Sequence, residues 1–269
     1  EEKGYSFETG TDTEVILKAY LEYGQDCLQH FNGMFAFAIW DGNKQELFIA
    51  RDRLGIKPLY YYKNAEEIIF ASETKAILKG LDRRPPLNTQ LIDAYMSYGY
   101  IPGENTLHEG ILRLMPGHCA VVKGSDMEIR QWWDLTFDNK KDKGLDYYVK
   151  ESKRLLESAI DLRLRSDVPL GIFLSGGIES SAVVGLLAER VPEKLKTFSI
   201  GYDFGKGFDE SEYARLVADK FNTEHHEIKI TPAQFKAFIP EYIRLMDEPV
   251  TEAAAISLFF VSKLAKENV

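Results

Sequence analysis

A chain of 269 residues with 45% hydrophobic content is long enough for two packed domains. Its net charge of −9, from 33 basic against 42 acidic residues with no long basic run, argues against nucleic acid as the main partner. No apolar run reaches the roughly 18 residues of a membrane span. Cys27 and Cys119 are the only cysteines; far apart and outside C-x-x-C spacing, they argue against metal or disulfide work and read as buried packing residues in a reducing cytosol. The opening Glu1-Glu2-Lys3 is no signal peptide, and a chain that lacks an initial methionine and stops in mid-pattern reads as a piece of a longer protein.

In chain order, residues 11–23 read as a helix. Thr11 and Glu14 have capping-box spacing, Val15, Ile16, Ala19 and Tyr20 form an apolar face, and Gly24 ends it. Met34-Phe-Ala-Phe-Ala-Ile-Trp40, a turn at residues 41–44 and Glu46-Leu-Phe-Ile-Ala50 read as a β-hairpin. Its first strand is apolar on both faces, which predicts a sheet covered on both sides, as in two sheets sandwiched between helices. Further strands are expected at 59–63 and 68–71.

Near residue 135 the composition changes, and the polar Asp138–Gly144 stretch reads as a linker. The division is 1–135, a linker at 136–144, and 145–269. Beyond it, helices at 145–165, 182–190, 210–221, 232–246 and 252–267 alternate with strands at 169–174, 195–202 and 225–230. That alternation is the signature of a parallel, doubly wound sheet, in which ligands bind at the carboxyl ends of the strands.

One such end carries Leu174-Ser-Gly-Gly-Ile-Glu-Ser-Ser181. A strand running through two glycines into a helix makes a nest of backbone N–H groups that favours an anion, and the hydroxyls of Ser175, Ser180 and Ser181 can add donors. The spacing is not that of the G-x-x-x-x-G-K-[ST] phosphate loop, and no lysine follows. It resembles the S-G-G-x-D-S loop of the ATP pyrophosphatases, which split ATP between its α- and β-phosphates. The plainer reading is an ordinary βα turn.

Taken with Thr11-Asp-Thr-Glu14, Gly33–Asp41, Ala50-Arg-Asp-Arg-Leu-Gly-Ile-Lys-Pro-Leu-Tyr60, Ala71-Ser-Glu-Thr-Lys-Ala76, Asp167–Gly177, Phe208-Asp-Glu210 and Met246-Asp-Glu-Pro-Val250, the whole chain resembles the asparagine synthetase B family. These are the glutamine-hydrolysing asparagine synthetases. The resemblance implies the N-terminal part of an αββα sandwich of the N-terminal-nucleophile glutaminase type. A parallel doubly wound α/β ATP-pyrophosphatase domain should follow. It also implies ammonia taken from glutamine, passed through an interior channel and used on an adenylated aspartate, with ATP and Mg²⁺, in the cytoplasm, by a protein that can pair as a homodimer.

By the same resemblance Asp12 holds the α-amino group of glutamine, although from the residues alone it is a helix-start carboxylate. Leu174 and Ile200 neighbour the adenine or are plain strand core. Ser175, Gly176, Gly177 and Ser180 hold pyrophosphate. Glu179 stands where the family has aspartate as an Mg²⁺ ligand, and the added methylene predicts slower adenylation. Arg51, Asp52 and Lys57 read as a structural ion-pair and turn network. Asp209 reads first as a helix cap, His225 and His226 as strand packing, and Asp247 and Glu248 as either pocket or turn residues.

The family's nucleophilic cysteine is expected upstream of Glu1, and its second Gly-rich loop, S-G-E-G-x-D-E, downstream of Val269. The chain as given is therefore expected to be inactive. The alternatives are an amidotransferase or β-lactam-synthetase-like enzyme that adenylates another carboxylate, and a non-catalytic nucleotide-binding relative. Sulfur transfer to tRNA is disfavoured by the negative charge.

Overall fold

The computed structural model describes residues 3–137, 141–191, 193–203, 209–248, 250, 252 and 254–269. The linker residues Asp138, Asn139 and Lys140, and the motif residues Phe208 and Pro249, lie outside these. The chain forms two compact units, Glu1–Asp138 with Asp247–Pro249, and Asn139–Met246 with Val250–Val269.

The first unit begins with α1 (Asp12–Tyr23). Thr11 Oγ1 caps it by accepting from Glu14 N, and Gly24, at φ 59°, closes it on Tyr20 O. The reciprocal half of the expected capping box is absent, because the Glu14 carboxylate instead takes the amides of Glu8 and Thr9 and the Thr9 hydroxyl. A 3₁₀ turn, Gly24–His30, follows.

The strands β1 (Ala36–Asp41), β2 (Glu46–Arg51), β6 (His118–Lys123) and β7 (Asp126–Gln131) form an antiparallel sheet in the order β1-β2-β6-β7. A second antiparallel sheet orders β4 (Ile68–Ala71), β3 (Tyr60–Lys63) and β5 (Ile111–Arg113) as β4-β3-β5. Alternation along β2 explains the layering. Phe48 and Ala50 face Tyr20, Cys27, Leu28 and Cys119 under α1, whereas Ile49 on the other face joins Leu59, Tyr61, Leu114 and Ala120 between the sheets. Against the second sheet packs α2 (Thr74–Gly80), and α3 (Ile92–Tyr98) follows it in the chain.

Helix, sheet, sheet and helix thus stack as the αββα order requires. The strand covered on both faces is β2, however, not β1. As the edge strand, β1 leaves Ala38 and Trp40 exposed. Both cysteines are fully buried, and burial pushes the Cys27 thiol up to about 11.

Sequence reading places Arg51, Asp52 and Lys57 in one network, and the structure does so without an ion pair. The Arg51 guanidinium donates to three carbonyls, of Lys57 (2.8 Å), Leu114 (2.6 Å) and Gly55 (2.8 Å). Asp52 accepts from the amides of Phe35, Leu54, Ile56 and Lys57. Lys57 enters through its backbone and is itself exposed. Asp247 accepts from Thr74 N at 2.6 Å and Glu248 pairs with Arg113 at 2.7 Å, both within the first unit.

The second unit alternates α4 (Leu145–Arg163), β8 (Gly171–Phe173), α5 (Ile178–Ala188), β9 (Lys196–Tyr202), α6 (Ser211–Lys220), β10 (Glu224–Ile230), α7 (Pro232–Leu245) and α8 (Ala254–Lys266). The sheet is parallel, ordered β10-β9-β8. Its core joins Ile160 of α4, Val184 and Leu187 of α5 and Ala214 and Ala218 of α6. No helix among the described residues is long and apolar enough to cross a membrane.

Candidate active site

The glycine loop lies where β8 ends. Leu174, 1% exposed, extends the ladder by donating its amide to Phe198 O at 2.8 Å, and its carbonyl is taken by the Ser199 hydroxyl. At Gly176 the chain turns through φ +82°, and a Cβ there would lie 2.5 Å from Tyr213 Cβ and 2.6 Å from Ala214 N in the first turn of α6. Only glycine fits a left-handed residue pressed on backbone. Gly177 then begins α5 as its N-cap, four residues earlier than the sequence suggests, so Ile178, Glu179 and Ser180 form the first turn.

The serine hydroxyls hold the loop in shape. Gly177 N donates to Ser175 Oγ (3.2 Å), Ser175 Oγ and Ser180 Oγ lie 3.0 Å apart, and Ser180 Oγ donates to Gly177 O (3.2 Å). Ser175 N also donates to Ser180 Oγ, at 3.3 Å. The first amide to bond within α5 is Ser181 N, to Gly177 O at 3.0 Å, so the amides of Ile178, Glu179 and Ser180 lie ahead of the intrahelical ladder. They and the positive end of the helix suit an anion. The Ser181 hydroxyl is different: its oxygen is buried, so it is not among the loop's outward donors.

Beside the loop opens a crevice of about 350 Å³ lined by Leu174, Ser175, Ile200, Glu210, Ser257 and Leu258, among others. The predicted residues Leu174, Ser175 and Ile200 therefore meet at one place, with Gly176, Gly177, Glu179 and Ser180 next to them. Sequence reasoning missed the wall made by α8. Its signal was present in the spacing of Ala254, Ser257, Leu258 and Val261, all on the crevice.

Glu179 is exposed, and its Oε2 would lie 3.7 Å from a Cβ on Gly177, so the carboxylate stands over the loop. No group of three or more acidic, His or Cys side chains able to hold a metal occurs among the described residues. One carboxylate beside a phosphate nest is the donor set that Mg²⁺ uses when substrate phosphates and water complete its shell.

Asp209 acts as the cap that its position suggests, accepting from Ser211 N at 3.0 Å. Burial opposes its charge, but hydrogen bonds from Ser211 and the Tyr202 amide hold its carboxyl below the usual range. His226 stacks on Phe198 with ring centroids 5.2 Å apart. His225 Nδ1 lies 2.9 Å from Thr197 Oγ1, while its Nε2 is buried without a hydrogen-bond partner among the described residues. Asp12 is the first residue of α1 and is exposed.

Burial holds the His225 imidazole below its ordinary 6.5. The unfolded chain then binds a proton that the folded one refuses, so stability should be full above about pH 6.5 and fall as pH drops through that value. The loss approaches about 1.4 kcal/mol per pH unit until the folded pKa is reached. Urea midpoints between pH 8 and 5 for the native chain and His225→Gln should diverge on the acid side.

Two family models match the chain: one described as a glutamine amidotransferase domain, over residues 1–133, and one described as asparagine synthase, over residues 151–269. A Methanocaldococcus jannaschii protein named putative asparagine synthetase (glutamine-hydrolyzing) 2 is 40% identical over 97% of this chain and 51% of its own length. The Bacillus subtilis protein named asparagine synthetase (glutamine-hydrolyzing) 1 is 35% identical over 100% of this chain and 42% of its own. The chain carries a glutamine amidotransferase domain followed by an asparagine synthase domain and is similar over nearly its whole length to proteins named glutamine-hydrolyzing asparagine synthetase. It spans about half the length of these relatives, at 51% and 42%. Of the two family matches, the one over residues 1–133 falls on the unit with the antiparallel sheets and the one over residues 151–269 on the unit with the parallel sheet. A Gibberella zeae protein named amidase chry2 is also 32% identical, over 84% of this chain and 36% of its own.

Proposed function

We propose that this chain is part of an enzyme that makes asparagine from aspartate with glutamine as nitrogen donor and ATP as the activating substrate. The observation that carries the reading is the Ser175–Ser180 nest at the carboxyl end of β8, beside an apolar crevice, in a chain that matches both family domains. In the first half, Asp12 would receive the α-ammonium of glutamine, whose side-chain amide yields ammonia.

In the second half, the aspartate side-chain carboxylate attacks the α-phosphorus of ATP. The bond to the β-phosphate oxygen breaks and pyrophosphate leaves. Ammonia then attacks the mixed anhydride, AMP departs, and asparagine remains. The amides of Ile178 to Ser180 and the hydroxyls of Ser175 and Ser180 receive the charge that grows on the departing pyrophosphate. Leu174 and Ile200 flank the base. Glu179 would hold Mg²⁺, which supplies further charge neutralisation on the phosphates when bound. The reaction fits a cytoplasmic enzyme of small-molecule substrates, with a homodimer as the proposed assembly.

The test is asparagine formation by the whole gene product, followed with ¹⁵N-amide glutamine. Label in asparagine, with pyrophosphate released only when aspartate is present, is expected. Pyrophosphate release with another carboxylate and none with aspartate would favour the second reading, an enzyme acting on a different acceptor, to which the amidase name of one relative lends support. Within the main reading, Glu179→Asp should raise the rate of aspartate-dependent pyrophosphate release several-fold. The shorter arm reaches the octahedral shell of Mg²⁺ without moving the loop. An unchanged or lower rate would remove Glu179 from that role.

A further inference from the structure

The crevice beside the loop has walls of different kinds. One is the sheet, where Phe173, Leu174 and Phe198 are fixed by the β8–β9 ladder and its extension, and Ile200 by its pairing with Ile228 of β10. The other is α8, which packs on β9 and β10 and faces the crevice through Ala254, Ser257, Leu258 and Val261. Apolar contact alone is non-directional and leaves a helix free to slide. Here a polar tie crosses from sheet to helix within the crevice: the Tyr202 phenol, on the last residue of β9, is hydrogen-bonded to the Ser257 hydroxyl. Ser257 is 5% exposed, so the tie is made at the base of the wall rather than at its rim.

We propose that Tyr202 and Ser257 are positioning residues that set the width of the slot for the nucleotide base. The inference rests on the ATP reading given above. A planar ring between two walls gains its binding from close contact on both faces, and a gap of about 0.5–1 Å already forfeits a quarter to a half of that attraction. A directional hydrogen bond holds α8 at one distance and so prepares the slot before the base arrives. The phosphate end of the site has its own frame in the Ser175–Ser180 hydroxyls and does not depend on this tie.

The experiment is calorimetric titration of the whole gene product with α,β-methylene-ATP and, separately, with pyrophosphate, both with Mg²⁺. Tyr202→Phe keeps the ring and removes the hydroxyl; Ser257→Ala removes the other partner. Each should weaken the nucleotide about three- to tenfold and leave pyrophosphate unchanged. The double variant should be no weaker than the worse single one, because both remove the same bond. Native affinity for the nucleotide in Tyr202→Phe would overturn the proposal. So would a parallel loss of pyrophosphate binding, which marks a general loosening. A native protein that binds pyrophosphate and no nucleotide would overturn the ATP reading itself, and this inference with it.

Discussion

Gly176→Ala should cost the second unit about 2–5 kcal/mol and abolish pyrophosphate binding. Two effects add. A left-handed residue with a Cβ is strained by about 1–2 kcal/mol, and the backbone here stands at φ +82°. The new methyl would also meet Tyr213 Cβ at 2.5 Å and Ala214 N at 2.6 Å. Ala214 N is part of the α6 backbone, donating to Glu210 O at 3.3 Å, so it cannot swing aside as a flexible side chain would. Relief requires the loop to lift away from α6, and overpacking of that kind costs about 1–3 kcal/mol more.

Gly177→Ala is the control. Gly177 has φ −68°, which any residue adopts, and a Cβ there meets only Ser175 Oγ at 3.3 Å and Glu179 Oε2 at 3.7 Å. That variant should fold with a loss below about 1 kcal/mol while its methyl crowds the loop's open face. Urea unfolding and pyrophosphate titration of the two variants therefore separate the conformational demand from the ligand's demand. Equal stability of both would show that the α6 contact does not hold Gly176 in place.

The loop was legible in the sequence because its chemistry is local: a strand, two glycines and a helix in succession. Its finer shape was not. Placing the start of α5 at residue 182 treated Ser180 and Ser181 alike, but a helix that begins at Ile178 gives them different surroundings, one hydroxyl in the loop frame and the other buried. The parallel sheet was readable from alternating patterns, whereas β5, three residues long, and the 3₁₀ turn at Gly24–His30 leave too short a period to detect. The double covering was assigned to β1 because its apolar alternation is the stronger. Which strand is central depends on pairing with β6, some 70 residues away, and that is tertiary information. The α8 wall was missed for a similar reason. Ser257 looks like a surface residue until Tyr202 is brought to it from a strand 55 residues earlier.

Asp52 shows the same limit at higher energy. A carboxylate beside Arg51 in sequence invites an ion pair, yet the two side chains point into separate sets of backbone groups. Asp52 is 1% exposed and spends Oδ1 on the amides of Leu54 and Ile56, at 3.2 and 3.0 Å, and Oδ2 on those of Phe35 and Lys57, at 3.2 and 3.0 Å. The turn 53–57 has few other ways to satisfy those donors. Asp52→Ala should therefore destabilise the first unit by about 1–3 kcal/mol for each amide it leaves buried without an acceptor. Asp52→Asn should do nearly as badly. Its amide nitrogen would face two N–H donors in either orientation, replacing two attractions with two repulsions. A protein that needed only the size and polarity of Asp52 would tolerate Asn and lose stability with Ala alone. Guanidinium midpoints for the two variants, measured at one pH, distinguish these cases. The consequence reaches the fold through Gly117 as well, whose amide is held by the Asp52 carbonyl at 2.9 Å and whose own carbonyl receives Trp132 N at 2.8 Å. Loss of the Asp52 side chain should thus loosen the contact of Trp132 with Phe35, now at 6.2 Å between ring centroids, and a red shift in tryptophan emission would report it.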